Sequence, residues 1–347
     1  MLKVLDSYLQ GRKQYVKNGD VESILLDVLI GVPQGSVLGP LLFIIYFNDI
    51  VKCSKLSSVL FADDAVFIAQ GKTVKSLKRL INCEINLVHE WLVANKLTLN
   101  LSKTKYMIFH NKHDEKSKKQ MKKFRININK YCIKQVTEFK YLGVHFDNRL
   151  NWHTHIEYLC TKLSQAAGVI YKLKKLAPRA VLKTVYYSIV DSHLRYGILA
   201  WGSAKSTALQ RLHSIHRKII HYMKFENESL SDAYENLKIL SISNLHKFEL
   251  TKFVHLIQIG KVPDTFAGAI NTIAHSHVTR SVTSGNLALP HARTDKGKTI
   301  TEYIGAQAWN SLPVSLKQMS NTKTFVYELK KILLQNDILS VTSENYY

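Results

Sequence analysis

The spacing of apolar and polar positions changes several times along the chain, and each change predicts an element. Two short stretches rich in Val, Phe and Ile, ending at Phe61 and starting at Ala65, flank Asp63 and Asp64, so these two acids are expected at a tight turn between two strands. Gly71 and Lys72 end the second strand. Val74, Leu77, Ile81, Ile85, Val88 and Leu92 then recur at helical spacing, with Leu80, Leu87 and Trp91 widening the face. This is a helix packed under a sheet, with Trp91 in its core. Leu97, Leu99 and Leu101 alternate, as do Met107 and Phe109, and predict strands. Residues 111–125 are polar and mostly basic and read as a solvated loop. Ile126 and Ile128, then Tyr131 and Ile133, predict a hairpin that leads into a further strand.

Beyond Asn151 the period becomes helical throughout. Ile156, Leu159, Leu163, Ala166, Ala167, Ile170 and Leu173 form one apolar stripe, with Lys162, Lys172 and Lys175 opposite. Pro178 punctuates, a second long helix is expected over roughly 179–196, and Leu209, Leu212, Ile215, Ile219 and Ile220 mark a third, beside Arg211, Arg217 and Lys218. Trp309 and Phe325 are expected core anchors of a last segment.

Composition narrows the class. The chain has 347 residues, enough for two or three compact units, and its 46% apolar content is that of a folded protein. Lys and Arg outnumber Asp and Glu 48 to 26, a formal charge of +22, which favours a phosphate-backbone partner. The four cysteines are far apart with no CxxC pair, which indicates neither a zinc knuckle nor a disulfide framework; they read as reduced thiols. His153, His155, His213 and His216 belong to no closed ligand set. No signal peptide is seen at Met1–Gln10, and the apolar run Val37–Phe47 is too short to span a membrane. The expected location is the nucleus or cytoplasm.

Candidate chemistry centres on Asp63 and Asp64. Two like charges at a turn repel, and a divalent cation removes that cost. Aspartate oxygens suit Mg²⁺, and two such ions can clamp the attacking and leaving oxygens of a phosphoryl transfer. Upstream, the Gly/Pro spacing of Gly31-Val32-Pro33-Gln34-Gly35-Ser36-Val37-Leu38-Gly39-Pro40 makes a loop that opens into a helix, with Ser36 as a cap.

The ordered series GVPQGSVLGPLLF, FADD, NKLTLNLSKTKYMIF and FKYLGVHFD resembles the reverse transcriptase of non-LTR retrotransposons, in particular jockey-like and related LINE-type elements. The resemblance implies an RNA-directed DNA polymerase that uses Mg²⁺ or Mn²⁺, with template RNA, a DNA primer and dNTP as partners. Residues 31–40 are similar to the segment that holds template and incoming nucleotide, with Gln34 and Gly35 at the nascent base pair. Residues 61–64 are similar to the segment carrying the catalytic acids, with Asp63 the more direct metal ligand of the two. Phe61 stands where the family has an aromatic beside the nucleotide; its own reading is core. Lys103, in the segment 97–109, stands where a lysine approaches the phosphates, and a solvated strand face is the open alternative. Tyr141, Leu142 and Gly143 resemble the turn of the primer grip, residues 139–146, or serve as hairpin core.

The implied fold is α+β: a partial palm, with a small antiparallel sheet and packing helices, over 1–150; a helical thumb over 151–225; and a mostly helical C-terminal extension over 226–347, where Pro263-Asp264-Thr265-Phe266, Thr279-Arg280 and Trp309-Asn310-Ser311-Leu312-Pro313 add to the resemblance. One departure matters. The family's first palm strand carries a further Asp ahead of the Gln-Gly loop, and no such pattern lies in residues 1–30: Asp6, Asp20 and Asp27 lack its flanking residues, while Leu5–Val16 resembles the segment that follows it. No endonuclease segment is seen either. The expectation is a 5′-truncated copy that does not polymerise alone, with an open sheet edge and poor solubility. Two alternatives differ in class: a non-catalytic RNA- or duplex-binding relic, and another metal-dependent phosphotransferase or nuclease, against which the loop and grip segments argue.

Overall fold

The computed structural model describes residues 2–109, 124–266, 268–270 and 285–343, with side chains left out for Leu2 and for 336–343. Most of the basic insertion 111–125, and Thr279-Arg280, lie outside the described residues. The chain divides into two compact units, Met1–Thr137 and Glu138–Tyr347.

The first unit is α+β. A short helix, Leu2–Leu9, precedes two small antiparallel ladders, Lys13–Gln14 with Leu26–Asp27 and Lys17–Asn18 with Val21–Glu22. The loop from Gly31 then opens into the helix Gly39–Phe47. Ser36 acts there as expected, though from outside the N-cap position: its Oγ accepts from the Gly39 amide at 3.1 Å and donates to the Pro33 carbonyl at 2.7 Å. The strands Ser57–Phe61 and Asp64–Ile68 pair antiparallel. The expected amphipathic helix is present as Val74–Ala94, started by a reciprocal cap between Thr73 and Ser76. Ile81 packs with Ile108, Phe124, Ile126, Ile128 and Ile133; Val88 and Leu92 pack with Phe47 and Ile50, and Trp91 meets Phe47 edge-on at 5.9 Å.

The β-structure is a set of two-stranded ladders with no single continuous sheet among the described residues. The alternation at Leu97, Leu99 and Leu101 does not make a strand. Leu99 and Leu101 turn inward to the core, but Asn100 captures the following backbone, accepting from Ser102 Oγ at 2.7 Å and from the Lys103 amide at 3.2 Å. The strand there is only Lys105–Tyr106, paired parallel with Lys134–Gln135, and Met107 and Phe109 lie outside it. The hairpin read from Ile126 to Ile133 is present as Asn127–Ile128 against Tyr131–Cys132.

The second unit starts with the hairpin Glu138–Tyr141 and Val144–Asp147 and is helical thereafter. Residues 139–146 therefore fall in this unit. The Asp147 carboxylate accepts from the amides of Arg149, Asn151 and Trp152 at 2.7–3.1 Å and so organises the entry to the helix His153–Leu173. The predicted stripe of that helix is buried from Ile156 to Ile170 against Leu212, Ile219 and Ile220 of the helix Ser206–Met223. The second long helix is interrupted: Arg179–Tyr186 passes through a π turn, Tyr187–Asp191, into Ser192–Arg195. One core runs on through residue 225, from Ile156 to Leu333, and takes in the helices Leu230–Leu237, Ile242–Gln258, Thr301–Asn310 and Thr322–Ser343. Trp309 and Phe325 anchor it as expected, and Phe325 stacks on His255 with ring centroids 4.0 Å apart.

Buried histidines are a property of this core. His216 is held between Tyr186 and Tyr234 at 2.8 and 3.2 Å, and a Cβ on Gly202 would lie 2.5 Å from the His246 ring. Burial, then the charge of His213, pushes His216 down to about 3. Burial, then His145, pushes His155 down to about 4, and burial alone does the same to His246. All three are neutral when folded, whereas an unfolded-chain histidine protonates near about 6.5. Below that pH the unfolded state binds more protons, so stability is full above pH 6.5 and falls as pH drops toward 4. The unfolding free energy of the intact chain, from urea titrations, should fall steadily between pH 6.5 and 5, above the carboxylate range, by at most about 1.4 kcal/mol per pH unit for each fully coupled histidine; a flat value there would contradict the burial.

Candidate active site

The acid pair sits where the two best-formed strands of the first unit meet. Five residue pairs, from Ser57↔Ile68 to Phe61↔Asp64, leave only Ala62 and Asp63 as the loop. Paired residues share a face, so Leu60 and Phe67 turn inward and pack on the cluster built around Phe47, Ile50, Val88 and Leu92. Val59, Phe61, Val66, Asp64 and Ile68 share the other face, and Phe61 is 61% exposed. Ala62 takes a left-handed conformation, φ 51°. A two-residue loop of this kind needs positive φ, and a side chain there costs about 1–2 kcal/mol. The strand pairing outweighs that cost and holds Asp63 at the tip with Asp64 beside it.

Both carboxylates are exposed, and neither is engaged in a hydrogen bond or ion pair among the described residues. Behind the hairpin, a carboxylate that periodicity had not singled out is buried: Glu84, within the apolar stripe of the helix Val74–Ala94, accepts from the Lys55 amide at 2.6 Å and anchors the segment entering the first strand. Its only signal in the sequence is a charge standing one position from Ile85 and three from Ile81.

Of the remaining expected site residues in this unit, Gln34 and Gly35 are exposed in the loop before the helix Gly39–Phe47, and Gly35 has φ 80° with open space around it. A Cβ on Gly39 would meet Ser36 Oγ at 2.8 Å and the Pro33 carbonyl at 3.1 Å, so the loop closes tightly just behind them. Lys103 is exposed on the Asn100 turn. The hairpin tip brings Phe61, Asp63 and Asp64 together; no hydrogen bond or ion pair joins Gln34, Gly35 or Lys103 to them among the described residues. Among those residues no group of three or more His, Cys, Asp or Glu converges as a metal site. Asp63 and Asp64 thus fit a hard divalent cation by donor chemistry, as two free carboxylates, and not by number.

In the second unit Tyr141 pairs with Val144, which makes Leu142 and Gly143 the turn, both at positive φ (43° and 80°). Tyr196 clamps it: its hydroxyl donates to the Leu142 carbonyl at 2.5 Å, and a Cβ on Gly143 would stand 3.0 Å from the Tyr196 ring. Leu142 therefore meets the demand of the turn at a cost that Gly143 avoids.

The site's segments are those of a known class. Residues 4–146 match the family described as reverse transcriptase (RNA-dependent DNA polymerase). The chain is homologous to the RNA-directed DNA polymerases of non-LTR elements: it is 28% identical over 224 residues to the probable RNA-directed DNA polymerase from transposon X-element of Drosophila melanogaster, and 23% over 229 residues to that from mobile element jockey of the same fly. Each alignment covers 62% of this chain and 24% of the relative. Identity is 30% over 152 residues to the Pol polyprotein of a type-1 element R1 from Nasonia vitripennis, covering 43% of this chain and 36% of the relative. The chain thus spans about a quarter of the length of the fly polymerases it matches. No solved structure matches it significantly.

The Leu142–Gly143 turn offers a direct check. Gly143→Ala should lower stability by about 1–3 kcal/mol through left-handed strain and the Tyr196 ring, and Tyr196→Phe by about 1 kcal/mol through the lost hydrogen bond. Thermal melts of both variants measure this; a wild-type melt for Gly143→Ala would show the turn is not the one described.

Proposed function

We propose that residues 4–146 carry the acid-pair part of nucleotidyl transfer in an RNA-directed DNA polymerase of a non-LTR retrotransposon. The observation that carries this reading is the Asp63-Asp64 hairpin tip: two unpaired carboxylates, held in the open by a strained two-residue loop, inside a reverse transcriptase family match. In the reaction a primer 3′-hydroxyl attacks the α-phosphate of a dNTP, a new P–O bond forms, and the bond to the β-phosphate breaks with pyrophosphate leaving. Asp63 and Asp64 are the residues that would hold Mg²⁺ or Mn²⁺. Bound there, such ions neutralise developing charge and favour the primer alkoxide.

The chain's own residues take the positioning roles. The Gln34-Gly35 turn presents an amide and an unobstructed backbone to the nascent base pair. Phe61, on the face it shares with Asp64, lies against the nucleotide sugar. Lys103 supplies a cation for the phosphates or the leaving pyrophosphate. Tyr141, Leu142 and Gly143 hold the primer, residues 151–225 act as the thumb along the template–primer duplex, and 226–347 form a helical extension of the polyprotein. The template is RNA, and the place of action is the nucleus or cytoplasm; among the described residues no helix is long and apolar enough to cross a membrane.

We further propose that the 347-residue polypeptide does not extend a primer by itself, because the third carboxylate of a two-ion site has no counterpart in its sequence. Mn²⁺ binding, read by electron paramagnetic resonance, should be measurable in the intact chain and at least about tenfold weaker in Asp63→Asn, with primer extension on an RNA template at background. Asp63-dependent synthesis by the chain alone would refute the incompleteness, and Mn²⁺ binding unchanged in Asp63→Asn/Asp64→Asn would refute the site.

A further inference from the structure

The strongest uncommitted feature lies in the second unit, at one end of its two principal helices. His153–Leu173 and Ser206–Met223 run parallel, since Cys160 lies within the field of Arg211 and Tyr171 lies against Tyr222, so both C-termini reach the same end. There Tyr171 and Tyr222 meet with ring centroids 5.0 Å apart at 56°. The Lys174 ammonium stands 4.8 Å from the Tyr171 ring and 5.3 Å from the Tyr222 ring, and Lys218 stands 5.8 Å from Tyr222. Tyr171 is 50% exposed, and both lysines are exposed.

The charge around this cluster is unbalanced. Residues 151–225 hold 12 Lys and Arg against two acids, Glu157 and Asp191. Asp191 is taken by Arg195 at 2.5 Å, and Glu157 lies 3.7 Å from His153 at the other end of its helix. No acid pairs with Lys174 or Lys218 among the described residues. Two ammonium groups without counter-charge, beside a half-exposed aromatic ring, are the elements of a single-strand site: the cations take phosphates and the ring takes a base.

We propose that Tyr171, Lys174, Lys218 and Tyr222 form a binding site for single-stranded nucleic acid, with a base stacked on Tyr171 and adjacent phosphates on Lys174 and Lys218. It is separate from the acid-pair hairpin and deepens the partner assignment of the proposed function, on which the choice of nucleic acid as ligand rests. Lysines at helix C-termini also complement the helix dipole. That role alone changes stability and leaves binding untouched, which makes the two separable.

The test uses the intact chain, a fluorescent 12-nucleotide oligo(U), and anisotropy at several salt concentrations with EDTA present, so that loss of the Asp63 site or of polymerase activity has no bearing on it. The wild-type chain should bind. Lys174→Gln/Lys218→Gln should weaken binding by at least tenfold and reduce the slope of log affinity against log salt by about 1.4, the loss of two phosphate contacts. Tyr171→Leu should weaken it at least fivefold at an unchanged slope, Tyr171→Phe should retain affinity, and the charge-matched Lys323→Gln/Lys331→Gln should behave as wild type. Circular dichroism checks that each variant folds. No oligo(U) binding by wild type, an equal loss in the Lys323/Lys331 control, or a silent Tyr171→Leu overturns the proposal. So does tighter, Tyr171-independent binding to phosphatidylserine vesicles, an arm included because Leu176 is 83% exposed nearby.

Discussion

The position of the acid pair depends on the register of one hairpin. Five residue pairs closed by two loop residues leave no freedom in where Asp63 and Asp64 fall. The register is held by the inward side chains Leu60 and Phe67, which pack on Phe47, Ile50, Val88 and Leu92. Slipping the pairing by one residue would turn Phe67 outward and place a carboxylate over that apolar cluster. The left-handed Ala62 is tolerated because this penalty is larger than its own strain. The helix Val74–Ala94, which supplies Val88 and Leu92, thus helps to fix where the two carboxylates stand.

The hairpin of Glu138–Tyr141 and Val144–Asp147 meets the same geometric demand differently. Its turn also puts a non-glycine residue, Leu142, at positive φ, but Gly143 takes the second position and the Tyr196 hydroxyl fixes the carbonyl between them. Val144 in turn sits where a Cβ on Gly197 would come within 2.9 Å. One tip is left free and charged, the other is pinned and neutral.

What could be read from the sequence follows from which forces are local. The hairpin around Asp63 and the helices Val74–Ala94, His153–Leu173 and Ser206–Met223 were legible because each writes a clean period over its own residues. Leu97 to Leu101 misled because alternation also arises in an irregular segment whose leucines point inward, while the Asn100 side chain competes for the backbone. The π turn at Tyr187–Asp191 was invisible because one extra residue per turn barely disturbs the apolar spacing. The division at Thr137, earlier than residue 150, reflects tertiary contacts: Asp147 organises the entry to the helix His153–Leu173, and Tyr196 holds the grip turn. Phe61, Asp63 and Asp64 were legible as neighbours at one tip because twelve consecutive residues build it. Gln34 and Lys103 stand on separate loops, and no hydrogen bond or ion pair among the described residues joins them to that tip.

The two units solve the problem of burial unequally, and this bears on how the acid pair is used. The second unit closes one continuous core from Ile156 to Leu333, with Tyr186, Trp201 and Phe325 fully buried. In the first unit the buried residues form two separate small clusters, and the helix Gly39–Phe47 is apolar on every side. Leu41, Ile44 and Ile45 of that helix are 54%, 54% and 63% exposed. The outward face of the acid hairpin adds Val59 and Ile68, at 50% and 45%. A helix with no polar face gains nothing from water, and exposed apolar area of this extent normally marks a surface that is covered when the protein acts. The loop carrying Gln34 and Gly35 runs directly into that helix, and the tip carrying Asp63 and Asp64 closes that hairpin. Burial of either apolar face would therefore also restrict the turn attached to it.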